Sequence, residues 1–116
     1  MLTGRWEPLD QPPVGEVSLD DVLKALADPA RREIVRLLAA EGERACGTFG
    51  LDLAPSTLSH HFRVLREAGI LSQYNQGRRR MNALRFEEFE RGFPGLLQAV
   101  GVLGGVSRSV RDTGRR

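Results

Sequence analysis

The stretch Ser56–Leu71, STLSHHFRVLREAGIL, puts two histidines side by side in a helical pattern, and the direction of each decides what the chain can do. An α-helix advances about 100° per residue. With Leu58 as the origin, Phe62 falls near about +40°, Leu65 near about −20° and His61 near about −60°, one largely apolar face. Ser56, His60, Arg63 and Glu67 fall between roughly 140° and 200°, with Thr57 and Ser59 flanking them. His61 therefore leans towards a core as a packed, hydrogen-bonded residue, and His60 points outward with serines and an arginine. Adjacent helical positions do not face each other, so the pair is poorly placed to grip one ion. A helical zinc pair needs histidines four apart, and no Cys-X-X-Cys or third histidine completes a site. No nucleophile elbow, phosphate-cradling glycine loop or acid–base constellation is present, so catalytic and metal-ligating residues are expected to be none, and cofactors none.

Charge singles out the same region. The 116 residues carry a net charge of +2, but residues 56–85 hold six arginines against Glu67 alone, whereas residues 1–17 and 18–55 are each at −2 and residues 86–116 at +1. A local cationic block on a near-neutral chain points to a polyanionic partner. The length suits one domain, and a hydrophobic content of 41% is ordinary for a soluble protein. The start, MLTGRWEPLD, has no apolar run, and the longest mostly apolar stretch, Pro94–Val106, is too short to span a bilayer. The expectation is a cytoplasmic protein without membrane contact. Cys46, the lone cysteine, excludes an internal disulfide framework and reads as a buried thiol, with intermolecular redox pairing as the alternative.

Along the chain, Pro8, Pro12, Pro13 and Gly15 mark residues 1–17 as a flexible or extended arm. Ser18 caps a first helix and forms a capping box with Asp21. Asp28 caps a second helix with Pro29 at its first position, a buried stripe of Ala30, Ile34, Leu37 and Leu38, and an end at Gly42. A short helix or turn is expected around Cys46–Leu51. Ser56 is expected to cap the next helix, which Gly69 stops. Alternating residues then flank Asn75-Gln76-Gly77, a hairpin turn. A last helical region is bent or restarted near Gly92–Pro94, and residues 104–116 form a flexible basic tail. The fold class is mainly α with a small β-hairpin: a winged helix-turn-helix, with one domain over residues 18–103. Duplex DNA is the expected partner, contacted by Ser56, Thr57, Ser59, His60 and Arg63 on the helix and by Arg78, Arg79 and Arg80 on the wing.

LKALADPARREIVRLL, STLSHHFRVLREAGIL and QGRRRMNALR, in that order and spacing, resemble the ArsR (ArsR/SmtB) family of winged-helix transcriptional regulators over about residues 18–100. The resemblance implies a homodimer joined by its first and last helices, here through Val22, Leu23, Leu26, Phe89, Phe93, Leu96, Leu97 and Val100. It also implies a repressor that binds an inverted-repeat operator and responds to a small-molecule, metal or protein effector. The metal-sensing positions of the family are not matched. Cys46 has no partner cysteine nearby, and the last helix offers Glu87, Glu88 and Glu90 without histidine or cysteine. The competing readings are a metal-responsive regulator with a non-standard intersubunit site and a winged-helix interaction module that recruits a separate sensing protein.

Overall fold

The computed structural model describes the backbone of residues 7–8 and all of residues 11–103. Five helices and four strands make up the described chain. Strand β1 is Glu7–Pro8, followed by helices α1 (Leu19–Leu26) and α2 (Pro29–Glu41), strand β2 (Arg44–Ala45) and helix α3 (Pro55–Glu67). Strands β3 (Leu71–Gln76) and β4 (Arg79–Leu84) and the short helices α4 (Phe86–Gly92) and α5 (Leu96–Ala99) complete it. The sheet has the order β1-β3-β4-β2, and every pairing is antiparallel. The β3–β4 hairpin is the wing, and α1, α2 and α3 pack together beside it.

Local chemistry sets the helix ends. The Ser18 hydroxyl accepts from the Asp21 N–H at 3.1 Å. Asp28 Oδ1 accepts from the N–H groups of Ala30 and Arg31 at 2.8 and 3.1 Å, which satisfies two of α2's free donors. Two arginines of α2 close the C-terminus of α1. Arg31 reaches the Lys24 and Ala25 carbonyls, and Arg32 reaches that of Leu26. Cations at this end also oppose the helix dipole.

The expected cap at Ser56 is not formed. Pro55 occupies the first turn, which places the cap position on Ala54, with extended φ/ψ of −60° and 147° and no side-chain cap bond. Proline fits the first helical position and holds its predecessor extended, so it moves the helix start ahead of the serine.

The core gathers Val22, Ala25 and Leu26 from α1, Ile34, Val35 and Leu38 from α2, and Phe62 and Leu65 from α3. Ile70, Leu71, Phe89, Leu97 and Val102 close it. Val35 replaces the expected Ala30 and Leu37, which are only half-buried. The Phe49 and Phe62 rings meet at a centroid distance of 5.1 Å, tilted by 59°. Burial of this kind is worth about 3–5 kcal/mol for a phenylalanine truncated to alanine. Between β2 and α3 the chain makes only a three-residue 3₁₀ turn, Cys46–Thr48, because Gly47 and Gly50 disfavour a longer helix.

Three further expectations need amending. Residues 1–17 were expected as a flexible or extended arm, yet within them Val14 is buried and Val14–Glu16 forms a 3₁₀ turn. The Gln11 side chain accepts from the Gln73 N–H, and the Pro12 carbonyl accepts from Arg85. Backbone pairing of Glu7 with Asn75 and of Pro8 with Tyr74 adds a strand to the wing. Residues 1–6 and 9–10 of the arm, and the tail at 104–116, lie outside the described residues. The hairpin turn is Gly77–Arg78, because Gln76 pairs with Arg79 and so belongs to β3. Gly77, at φ 62°, supplies the positive φ that so tight a turn favours. Finally, Val22, Leu26, Phe89 and Leu97, named for a subunit interface, are fully used inside the subunit. Helix α4–α5 folds back onto the core, so its inward apolar positions are not available to a partner. Phe93, Leu96 and Val100 are half-buried. Leu23 is 45% exposed, and Leu19 and Phe86 are exposed too, at 51% and 41%.

The two backbone bonds to Asp28 make it the strongest cap in the chain. Asp28→Ala should lower unfolding stability in urea by about 1 kcal/mol and Asp28→Asn by much less. Equal losses for both would mean that charge, not capping, is what Asp28 supplies.

Candidate nucleic-acid interface

Helix α3 is two-faced because Phe62 and Leu65, at 1% and 0% exposure, are held in the core. That anchoring leaves Ser56, Thr57, Ser59, His60 and Arg63 all exposed. The first-turn N–H groups of Ser56 and Thr57 have no side-chain cap and remain open to an anion. Arg63 Nη2 lies 3.3 Å from His60 Nδ1, which keeps both side chains on the outer face.

Across from this face, Arg78, Arg79 and Arg80 are exposed at the tip of the hairpin. Arg80 Nε donates to Asn75 Oδ1 at 2.8 Å, its directly paired residue on β3. A groove of about 500 Å³ separates helix and wing. Ser56, Ser59, His60, Arg63 and Arg80 line it together with Cys46, Phe62, Arg66 and Gln73. Thr57, Arg78 and Arg79 do not line the groove and sit outside its rim. The arrangement presents hydroxyls, an imidazole and guanidinium groups on two elements at once. Such groups can donate to phosphate oxygens and to base edges.

The floor of the groove contains a polar chain that sequence reasoning missed. Arg66 Nη1 donates to Gln73 Oε1 at 2.7 Å, and Gln73 Nε2 donates to Asn82 Oδ1 at 2.9 Å. Asn82 Nδ2 then donates to the Arg44 carbonyl at 3.2 Å and to Cys46 Sγ at 3.3 Å. Helix α3, both wing strands and β2 are thus joined by hydrogen bonds. The alternation along β3 and β4 assigns Gln73 and Asn82 to the inner face, but an amide facing inward carries no charge to attract notice. Cys46 is half-buried and lines this groove.

The two histidines diverge as their spacing requires, with ring centroids 6.1 Å apart and planes 46° apart. Among the described residues no group of three or more His, Cys, Asp or Glu side chains could hold a metal ion. His61 is buried, and its Nδ1 lies 3.0 Å from Arg31 Nη1. Arginine can only donate, so Nδ1 accepts and the neutral ring carries its proton on Nε2. Burial holds His61 below the ordinary histidine value. Asp28 opposes that shift, whereas Arg31 and His60 add to it. Asp28 itself lies below the usual carboxylate range. Its partial burial acts the other way but is outweighed by the Arg31 and Ala30 N–H bonds, with His61 and Arg31 assisting.

Residues 26–74 match a sequence family described as a helix-turn-helix domain. The HTH-type transcriptional regulator YceK of Bacillus subtilis is 35% identical over 82 residues, covering 68% of this chain and 82% of the relative. The transcriptional repressor SdpR of the same organism is 31% identical over 61 residues, covering 51% of this chain and 67% of its own. The arsenic resistance transcriptional regulator ArsR1 of Pseudomonas putida is 43% identical over 58 residues, covering 48% of this chain and 45% of its own. Among solved structures, an ArsR family transcriptional regulator superposes with a TM-score of 0.55 at 28% identity, covering 63% of this chain and 81% of that one.

The lowered His61 value has a defined consequence. The unfolded chain binds the proton more readily, so stability is full above about pH 6.5 and is lost as the pH falls below it. Urea midpoints should fall between pH 7 and pH 5 for the native chain. In His61→Gln, whose carboxamide can still accept from Arg31, the fall should be smaller. Parallel curves for the two proteins would remove His61 as the source.

Proposed function

Because the chain belongs to the ArsR family of winged helix-turn-helix regulators, we propose that it represses transcription as a homodimer on an inverted-repeat operator and is released by an effector. It is a DNA-binding transcriptional regulator. The observation that carries the finer reading is the exposed Ser56, Thr57, Ser59, His60 and Arg63 face of α3, set across a groove from Arg80. The repressor activity of the relative SdpR supports the sign of regulation. The described residues contain no helix long and apolar enough to cross a membrane, and we assign the protein to the cytoplasm with its DNA.

In this reading α3 enters the major groove with its N-terminal end leading. A phosphate meets the open N–H groups of Ser56 and Thr57. Ser59, His60 and Arg63 then face base edges, and the Arg63 fork suits the O6 and N7 atoms of guanine. Arg78, Arg79 and Arg80 hold the adjacent backbone and fix the register without reading sequence. No catalytic step is assigned. The binding and dimerisation unit is residues 18–103, with residues 11–17 docked on it. Subunits meet through Leu23 and the half-buried Phe93, Leu96 and Val100, with exposed Leu19 and Phe86 as further apolar surface. A two-fold pair presents its recognition helices to half-sites about 34 Å apart or a multiple of that.

Footprinting on the promoter upstream of the chain's own coding region tests the reading directly. Two protected half-sites at that spacing are expected, and no protection at any concentration would overturn it. If a dimer neutralises about eight phosphates, log K should fall with log salt at a slope near about −7. Arg63→Ala should weaken operator binding by about 1–3 kcal/mol while affecting random duplex less. Equal losses on both would make Arg63 a phosphate anchor. Arg79→Ala should flatten the salt slope by about two, one contact per subunit. An unchanged slope would take Arg79 off the DNA.

A further inference from the structure

We propose that the groove between α3 and the wing is a phosphate-binding site centred on Arg66, which the buried Gln73–Asn82 pair holds ready for an oxyanion of the DNA backbone. The proposal rests on the DNA-binding reading above and adds a residue, a ligand chemistry and a positioning device to it.

Arg63, Arg66 and Arg80 line one groove, and no Asp or Glu lines it. None of the three takes part in an ion pair among the described residues, whereas Arg36, Arg44 and Arg85 do. Their partners are neutral: an imidazole for Arg63, and carboxamides for Arg66 and Arg80. A guanidinium bonded to an amide is oriented but not neutralised. Three such groups in one concavity focus a positive potential there.

Arg66 is held from one side by two buried amides. Gln73 is 2% exposed and Asn82 is 0% exposed. Their amide orientations are fixed by logic rather than by contact alone. Arg66 can only donate, so Gln73 turns its oxygen to Nη1. That points Gln73 Nε2 at Asn82 Oδ1, and Asn82 Nδ2 must then find the Arg44 carbonyl. Every step runs from donor to acceptor, and reversing any one places like groups together. The chain therefore fixes the guanidinium from behind, through Nη1.

Nε and Nη2 form the side edge of the guanidinium, the edge that takes two oxygens of a phosphate in parallel. Arg66 Nε is buried and has no acceptor among the described residues. A buried donor without a partner is unfavourable and calls for an explanation. Arg66 lines the groove, so a phosphate oxygen bound there reaches Nε once the guanidinium shifts towards it. Arg66 lies ten positions beyond Ser56, about 15 Å along α3. The N-terminal end of the helix is thus left for bases and the Arg66 end for backbone.

The test uses the full chain with Arg66→Gln, Arg66→Lys and Gln73→Glu, each checked for a native thermal transition. Gln73→Glu sets a carboxylate against Arg66 but loses the donor to Asn82 Oδ1, so Arg66→Gln, which leaves the buried amide pair intact, guards against a folding defect. Duplex affinity is measured across salt on operator and random DNA, and inorganic pyrophosphate binding is measured by calorimetry. Arg66→Gln and Gln73→Glu should each flatten the salt slope by about two for a dimer, with equal losses on both duplexes. Arg66→Lys should keep the slope and lose affinity, because charge remains but the fork is gone. Pyrophosphate that binds the native chain but not Arg66→Gln, with an unchanged DNA slope, would assign the site to a free phosphate ligand instead and overturn the backbone contact. A native chain that binds no duplex would defeat the DNA reading, and the pyrophosphate arm would then decide the oxyanion site alone. Unchanged slopes in folded variants with no Arg66-dependent pyrophosphate binding would overturn the proposal.

Discussion

Phe62 and Leu65 are locked beneath α3 by side chains from α1, α2 and the loop that carries Phe49. Because a helix is rigid in rotation about its axis, fixing that face fixes the opposite one. Ser59, His60 and Arg63 have no freedom to turn inward once the two apolar side chains are seated. Loss of that anchoring would not merely soften the core. It would let the helix roll and change which groups meet the groove. The exposed polar surface of α3 is a geometric by-product of apolar burial.

Arg31 reinforces the same constraint from the other side. Its guanidinium meets two carbonyls at the end of α1 and the ring of His61 on α3, so one side chain from α2 touches both neighbouring helices. Three helices therefore share a single polar junction next to their shared apolar one. The Arg66–Gln73–Asn82 chain plays the corresponding part between α3 and the sheet. Helix and wing are consequently placed relative to one another by directional bonds as well as by packing.

Much of this was legible in the residues. The caps at Ser18 and Asp28 and the outward direction of His60 against the inward one of His61 follow from local rules and a 100° rotation. So does the hairpin, which alternation alone reveals. The details that escaped are those that depend on a second element. Ser56 reads as a cap until Pro55 is allowed to start the helix. The hairpin turn shifts to Gly77–Arg78 because pairing between strands, not turn composition, settles register. β2 is two residues long and β1 contains a proline, and neither signals a strand without its partner. Phe89 and Leu97 are apolar at helical spacing, which cannot say whether the surface they cover belongs to the same subunit. The Gln73–Asn82 pair is invisible to any inventory based on charge.

One feature of the docked N-terminal segment reaches further than its size suggests. A methyl group added at Gly92 would come within 2.8 Å of a Val14 methyl, and one added at Gly69 would come within 3.0 Å of a Val17 methyl. Gly69 follows the end of α3, and Gly92 closes α4, which enters the core through Phe89. Val14 fills the space that a side chain at 92 would need, whereas Gly69, at φ 76°, is held to glycine by its backbone as well as by Val17. Bulk in that leading segment therefore bears directly on the end of α4, through the contact between positions 14 and 92.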